Sequence, residues 1–118
     1  MHPAALFASR GWRMAWIFLL AAGVCEIGWP IGLKLGWAPA GLRWGWIGFA
    51  IACIAASGVF LLLAQRDIPM GTAYAVWTGI GAVGAFLVGV YAFGDPNSAL
   101  RWASVGLITA GIIGLKLA

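Results

Sequence analysis

Four apolar runs separated by short polar turns occupy most of the chain, and they constrain its fold more than any other feature. Each run has about 20 residues, the length of an α-helix that crosses the hydrocarbon core of a bilayer. The runs cover residues 14–33, 44–64, 71–93 and 98–117. Because a chain in lipid must satisfy its backbone hydrogen bonds internally, such runs form helices. The sequence therefore predicts an all-α membrane protein with four transmembrane helices.

The composition excludes an ordinary soluble domain and argues against a nucleic-acid-binding one. Hydrophobic residues make up 64% of the chain and charged residues 8%, against about 25% charged in soluble proteins. The net charge is +4, but the seven basic residues are scattered near the ends of the apolar runs, as in loops at a membrane surface. We therefore expect a multi-pass protein of the cell (inner) membrane, with residues 1–13 as a short tail before a single four-helix domain over 14–118.

No metal or cofactor site is expected from the residue types present. The only histidine, His2, stands in the N-terminal tail, and Cys25 and Cys53 both lie inside apolar runs. Cysteines in such runs act as small packing residues. An enzyme is also disfavoured, since no combination of nucleophile, base and orienting group is visible.

The charges of the loops are nearly balanced between the two sides of the predicted bundle. One side carries Arg10, Arg13, Arg66 and Lys116, and the other carries Lys34, Arg43 and Arg101. Because an excess of positive charge normally fixes the orientation in the membrane, a chain with almost no bias can insert both ways. An antiparallel homodimer of oppositely inserted copies is therefore plausible.

Small residues recur at four-residue spacing in the third and fourth runs, which lets helices approach closely in lipid. The stripes are Gly81, Ala85 and Gly89 in the third run, and Gly106, Ala110 and Gly114 in the fourth. For the third run, packing within the subunit and packing between subunits are equally open. For the fourth run, which has no ionisable residue in its apolar centre, a dimer contact is favoured.

Glu26 is the only glutamate, and it interrupts the first apolar run. A carboxylate at bilayer depth costs about 2.5–3.5 kcal/mol by insertion scales, so such residues are commonly functional. Helical spacing places Gly23 and Trp29 on the same face as Glu26. Gly23 is expected to leave room beside the carboxylate, and Trp29 to offer a π face to a cation. Pro30 frees the carbonyl of Glu26 from its helical hydrogen bond.

Other runs supply polar and aromatic partners for this carboxylate. Ser57 is the only hydroxyl in the apolar centre of the second run, and a buried hydroxyl needs a hydrogen-bond partner. Tyr74 and Trp77 lie three residues apart in the third run. Singly, each aromatic residue is more often a packing residue. Together with Glu26, they favour a cage that binds a cation.

Three segments resemble the small multidrug resistance transporters: residues 26–34 (EIGWPIGLK), 68–81 (IPMGTAYAVWTGIG) and 111–116 (GIIGLK). The resemblance extends from Met14 to the C-terminus, and Trp29 with the segment 78–81 resembles the guanidinium exporter branch. It implies an antiparallel, dual-topology homodimer that exchanges protons for a cation. It also implies that Glu26 binds the substrate and the proton, with Gly23, Trp29, Ser57, Tyr74 and Trp77 lining the site.

Three functions remain open at this point. The first is proton-coupled export of guanidinium and small guanidinyl cations by alternating access. The second is exchange of quaternary ammonium or other drug cations for protons. The third, from another class, is a structural or regulatory membrane subunit whose Glu26 pairs with a partner protein.

Overall fold

Four long helices dominate the computed structural model, which describes residues 10–118. They are α1 (Arg10–Gly36), α2 (Trp44–Ala64), α3 (Met70–Phe93) and α4 (Ala99–Leu117). Each is long and apolar enough to cross a membrane. The predicted architecture of four membrane-spanning helices is therefore confirmed. The bounds of α2, α3 and α4 agree with the predicted runs to within one residue.

The first helix is longer than its apolar run, because it begins at Arg10 and ends at Gly36. Residues 10–13, which were predicted as part of a tail, form its first turn. Arginine is a good helix former and does not end a helix merely by being charged. At the other end, Lys34 lies in the last turn, where a cation interacts favourably with the helix dipole. The remainder of the predicted tail, residues 1–9, lies outside the described residues.

A small antiparallel hairpin joins α1 to α2, and the sequence did not predict it. Its strands are β1 (Trp37–Ala38) and β2 (Gly41–Leu42). Gly41 has a φ angle of 131°, which a side chain would disfavour. Strands of two residues are too short to show the alternating pattern by which strands are recognised.

Glycines bring α1 close to α2. Gly28, Gly32 and Gly36 are spaced four apart and face this helix. A Cβ atom added at Gly28 would lie 2.6 Å from the sulfur of Cys53, and one at Gly32 would lie 2.9 Å from the Cβ of Ala50. This stripe of small residues allows the two backbones to approach closely. This stripe was not predicted from the sequence.

The apolar core lies at the end of the bundle that contains the start of α1. It includes Trp16, Leu19, Ile68 and Val76, which are all buried. Towards the opposite end, open grooves lie between α1 and α3. This asymmetry places Glu26 between a packed half and an open half of the subunit.

The last helix, α4, contacts mainly α3 and contains no buried residue. Ile112 of α4 fits against Gly79 of α3, where an added Cβ would meet it at 2.8 Å. By contrast, a Cβ added at Gly106 or Gly114 would meet nothing within 4 Å among the described residues. The stripe of small residues on α4 is therefore uncovered in the single subunit.

Candidate functional site

Two side chains from different helices hold the carboxylate of Glu26. The indole Nε1 of Trp29, one turn further along α1, donates a hydrogen bond of 2.7 Å to Oε1. The hydroxyl of Ser57 on α2 lies 3.3 Å from Oε2 and donates to it. Each carboxylate oxygen thus lies within hydrogen-bond distance of one donor from the protein.

Ser57 is the centre of a wider hydrogen-bond chain. It is 1% exposed, and its Oγ also lies 2.8 Å from the carbonyl oxygen of Ala22. A hydroxyl has one hydrogen to donate, so Ser57 serves either this carbonyl or Glu26 at a given moment. Its oxygen accepts a 2.7 Å hydrogen bond from Nε1 of Trp77. The hydroxyl can therefore change its acceptor while Trp77 keeps its oxygen in place.

Trp77 connects helices that otherwise pack little against each other. The contact between α2 and α3 is sparse compared with the packing of α1 against either of them. The bond from Trp77 to Ser57 crosses this gap at the level of Glu26. A change at the carboxylate can therefore be transmitted to the relative positions of α2 and α3.

Glu26 and Trp77 line two open grooves, one on each side of the carboxylate. The groove between α1 and α3 has a volume of about 310 Å³. The groove between α1 and α2 has a volume of about 330 Å³. The first is also lined by Pro30, Tyr74, Thr78, Gly81, Ala82 and Ala85, and the second by Trp29, Ile54, Gly58 and Leu61. Within residues 10–118, Glu26 is the only acidic residue that lines either groove.

An aromatic pair forms one wall of the groove between α1 and α3. The rings of Tyr74 and Trp77 have centroids 5.3 Å apart and an interplanar angle of 54°. Tyr74 is 55% exposed, so its ring faces the open space. Aromatic faces attract cations, and the neighbouring carboxylate supplies the opposite charge.

Gly81 gives the glutamate its place against α3. A Cβ atom at this position would lie 2.7 Å from Cγ of Glu26, closer than ordinary van der Waals contact. The sequence placed Gly81 in a stripe of small residues but did not connect it with the carboxylate. The repeat of small residues was visible, but the rotation of α3 that turns Gly81 towards Glu26 was not.

Five of the six predicted site residues come together around one carboxylate: Glu26, Trp29, Ser57, Tyr74 and Trp77. Gly23 is placed differently. A Cβ atom there would lie 2.6 Å from Cγ2 of Ile80, so the glycine admits a side chain of α3 and lines neither groove. It brings α1 and α3 together, which is a packing role.

Metal binding has no support in the described part of the chain. No group of three or more His, Cys, Asp or Glu side chains within residues 10–118 could hold a metal ion. The arrangement around Glu26 is suited instead to holding an organic cation or a proton.

Comparison with known proteins finds one matching family and several similar proteins that share a name. The family described as Small Multidrug Resistance protein matches residues 14–108. A protein of Yersinia pseudotuberculosis serotype I (strain IP32953) named "Guanidinium exporter" is 50% identical over 105 residues, which cover 89% of this chain and 99% of that protein. Proteins of the same name from Citrobacter freundii and Salmonella typhimurium are 51% identical over 104 residues, covering 88% of this chain and 97% of theirs.

Proposed function

Since the chain belongs to the Small Multidrug Resistance family, and is thus a multi-pass membrane transporter and not an enzyme, we propose that it exports guanidinium in exchange for protons. Small guanidinyl cations would use the same route. Relatives that are about half identical over most of the chain bear the name of a guanidinium exporter. The observation that carries the proposal is the carboxylate of Glu26, held by Trp29 and Ser57 at the junction of two open grooves.

The unused acceptor positions of Glu26 suit a guanidinium ion. A carboxylate has about four lone-pair sites, and the protein fills one on each oxygen. The remaining site on each oxygen can accept one N–H, which is the two-point geometry that a planar guanidinium offers. A quaternary ammonium ion has no N–H to donate, so it would use only the charge and the aromatic wall. The geometry therefore favours guanidinium over the quaternary ammonium alternative.

Exchange for protons follows from the use of one carboxylate for both ions. A deprotonated Glu26 attracts the cation, and a protonated one is neutral and carries a donor where the cation's N–H would bind. The proton and the guanidinium ion therefore exclude each other. Among the described residues, Glu26 is the only acidic side chain that lines the two grooves. The competition is thus assigned to Glu26 alone.

The cation would move between the two grooves as the helices rearrange. Trp77 lines both grooves and is tied to Ser57 on α2. The hydroxyl of Ser57 can turn between Glu26 and the carbonyl of Ala22 while its oxygen keeps the hydrogen bond from Trp77. Alternating access of this kind requires one site and two alternative openings, which the two grooves around Glu26 would supply.

The functional unit would be an antiparallel homodimer. This is supported by the balanced loop charges and by the open stripe on α4, where Gly106 and Gly114 face no other part of the described subunit. Two oppositely inserted copies would bring their Glu26 residues towards a shared centre. Reporters fused to the C-terminus should show both orientations, and a single orientation would exclude this dimer.

Guanidinium uptake into proteoliposomes tests the proposed function. With an imposed pH gradient, the intact protein should accumulate labelled guanidinium, and the Glu26→Gln variant should not. Asp67→Asn is the matched control, since it also replaces a carboxylate by an amide but lies in the turn between α2 and α3. Absence of uptake by the intact protein would refute guanidinium export. Transport of quaternary ammonium alone would favour the second function, and no transport of either cation would favour a structural or regulatory subunit.

A further inference from the structure

A third groove continues from the Glu26 site towards the membrane surface. It lies between the last turns of α1 and α3 and has a volume of about 210 Å³. Pro30 and Ala85 line both this groove and the α1–α3 groove of Glu26. The two spaces are therefore neighbours along one path between the helices.

The outer groove already holds a cation on an aromatic ring. The ammonium Nζ of Lys34, from the last turn of α1, lies 5.7 Å from the centroid of the Phe93 ring on α3. This distance is within the range of a cation–π interaction. The Phe93 ring therefore offers a face to positive charge in the outer groove, and the ammonium of Lys34 lies over that face.

Asp95 places a carboxylate in the same groove, next to the C-terminal end of α3. Gly94 ends this helix with a left-handed φ of 68°, and the amide of Asp95 donates a 2.9 Å hydrogen bond to the carbonyl of Gly89. This turn folds Asp95 back over the helix end. Gly89 has no Cβ, and the carboxylate of Asp95 occupies the space that a Cβ would need. The backbone therefore fixes the position of Asp95.

A carboxylate in this position lacks a fixed counter-charge. The C-terminal end of a helix carries a partial negative charge, so an acidic group there is unfavourable and a cation is favourable. The last turn of α3 contains no basic residue. No ion pair joins Asp95 to Lys34 in the part of the chain that the structure describes. The helix end and Asp95 together create a negative site that remains open to a mobile cation.

We propose that Asp95 and Phe93 form an outer binding site for the exported cation, which displaces the ammonium of Lys34 from the ring. The inference rests on the proposed function, because it takes guanidinium or a similar small organic cation as the ligand. The cation would pass between this outer site and Glu26 along the space lined by Pro30 and Ala85. Lys34 then acts as an internal competitor that returns to Phe93 once the cation has moved on.

The amide resonances of the glycines beside Asp95 report on this site without requiring transport. In ¹⁵N-glycine-labelled Glu26→Gln protein, guanidinium at non-denaturing concentration and constant ionic strength should shift Gly89 and Gly94 in a saturable way. Adding Asp95→Asn should abolish the shift. Adding Phe93→Leu should weaken binding several-fold, since it removes the ring. A non-saturable shift, or an equal shift in the Asp95→Asn protein, would overturn the inference.

The Lys34→Gln substitution should strengthen guanidinium binding at the outer site, whereas Asp95→Asn and Phe93→Leu should weaken it. In the same Glu26→Gln background it should lower the half-saturating guanidinium concentration several-fold, because it removes the competing ammonium. An unchanged or raised concentration would contradict displacement of Lys34. Asp67→Asn serves as the control and should leave the titration unchanged.

The kinetics of the intact site separate this inference from the proposed function. In protein with Glu26 present, Asp95→Asn should slow the binding of guanidinium several-fold in stopped-flow tryptophan fluorescence, and added salt should shrink the difference. Wild-type binding rates in Asp95→Asn would overturn the outer site while leaving guanidinium export standing. Saturable glycine shifts without any guanidinium uptake would leave the outer site standing and refute export.

Discussion

Gly81 offers the sharpest test of how the fold positions the carboxylate. A Cβ atom at this position would lie 2.7 Å from Cγ of Glu26, and ordinary contact begins at 3.4 Å. In Gly81→Ala, Cγ must therefore retreat by about 0.7 Å, and because it lies in the middle of the side chain, the carboxylate moves with it. The substitution changes the position of the charge but not the charge itself.

The size of the effect follows from the hydrogen bond to Trp29. This bond is 2.7 Å long, so a retreat of the carboxylate directly away from the indole would lengthen it to about 3.4 Å, beyond the usual range for N–H···O bonds. A hydrogen bond to a charged group contributes about 1.5–3 kcal/mol. Losing this bond makes the binding position of the carboxylate less favourable by up to that free energy. With a factor of ten for each 1.4 kcal/mol, the affinity for guanidinium should fall by up to about 10- to 100-fold.

Equilibrium titration of purified protein, followed by tryptophan fluorescence, measures this affinity. Gly71→Ala is the matched control, because it makes the same change in α3 at a position where a Cβ meets nothing within 4 Å among residues 10–118. Circular dichroism and elution volume should show that both variants are folded. Wild-type affinity in Gly81→Ala, or an equal loss in both variants, would refute the reasoning.

Three further substitutions test separate parts of the site. Ser57→Ala removes the donor to Glu26 and should weaken guanidinium binding about tenfold by titration, whereas Ser104→Ala, in the exposed α4, should leave binding unchanged. Gly23→Ala should lower the thermal midpoint in detergent, because overpacking costs about 1–3 kcal/mol; an unchanged midpoint would contradict the close packing there. Trp77→Phe keeps an aromatic wall but loses the bond to Ser57, so uptake should slow more than binding weakens. Equal losses in both measurements would contradict a role for Trp77 in coupling the helices.

The helices could be predicted from the sequence because hydropathy and length alone determine them. A run of about 20 apolar residues has one stable form in lipid, and α2, α3 and α4 were placed almost to the residue. The start of α1 was missed because charged residues such as Arg10 and Arg13 usually mark the end of an apolar membrane segment. Arginine nevertheless continues a helix readily. The hairpin between α1 and α2 was too short to leave a pattern.

The candidate site could be predicted where local spacing or scarcity marked the residues. Trp29 is three residues from Glu26 on the same helix, and Ser57 is the only hydroxyl in the centre of its run. The contacts of Gly23 and Gly81 could not be predicted in this way. The helices are apolar on nearly all sides, so the sequence does not mark which face of one helix turns towards another.

Proton release on substrate binding tests most directly the claim that one carboxylate holds either a proton or the cation. Guanidinium is added to weakly buffered, purified protein that contains a pH indicator, at a series of starting pH values. We expect the intact protein to release protons in proportion to the guanidinium bound, and the Glu26→Gln variant to release none. Saturable guanidinium binding without proton release at any pH would contradict the account.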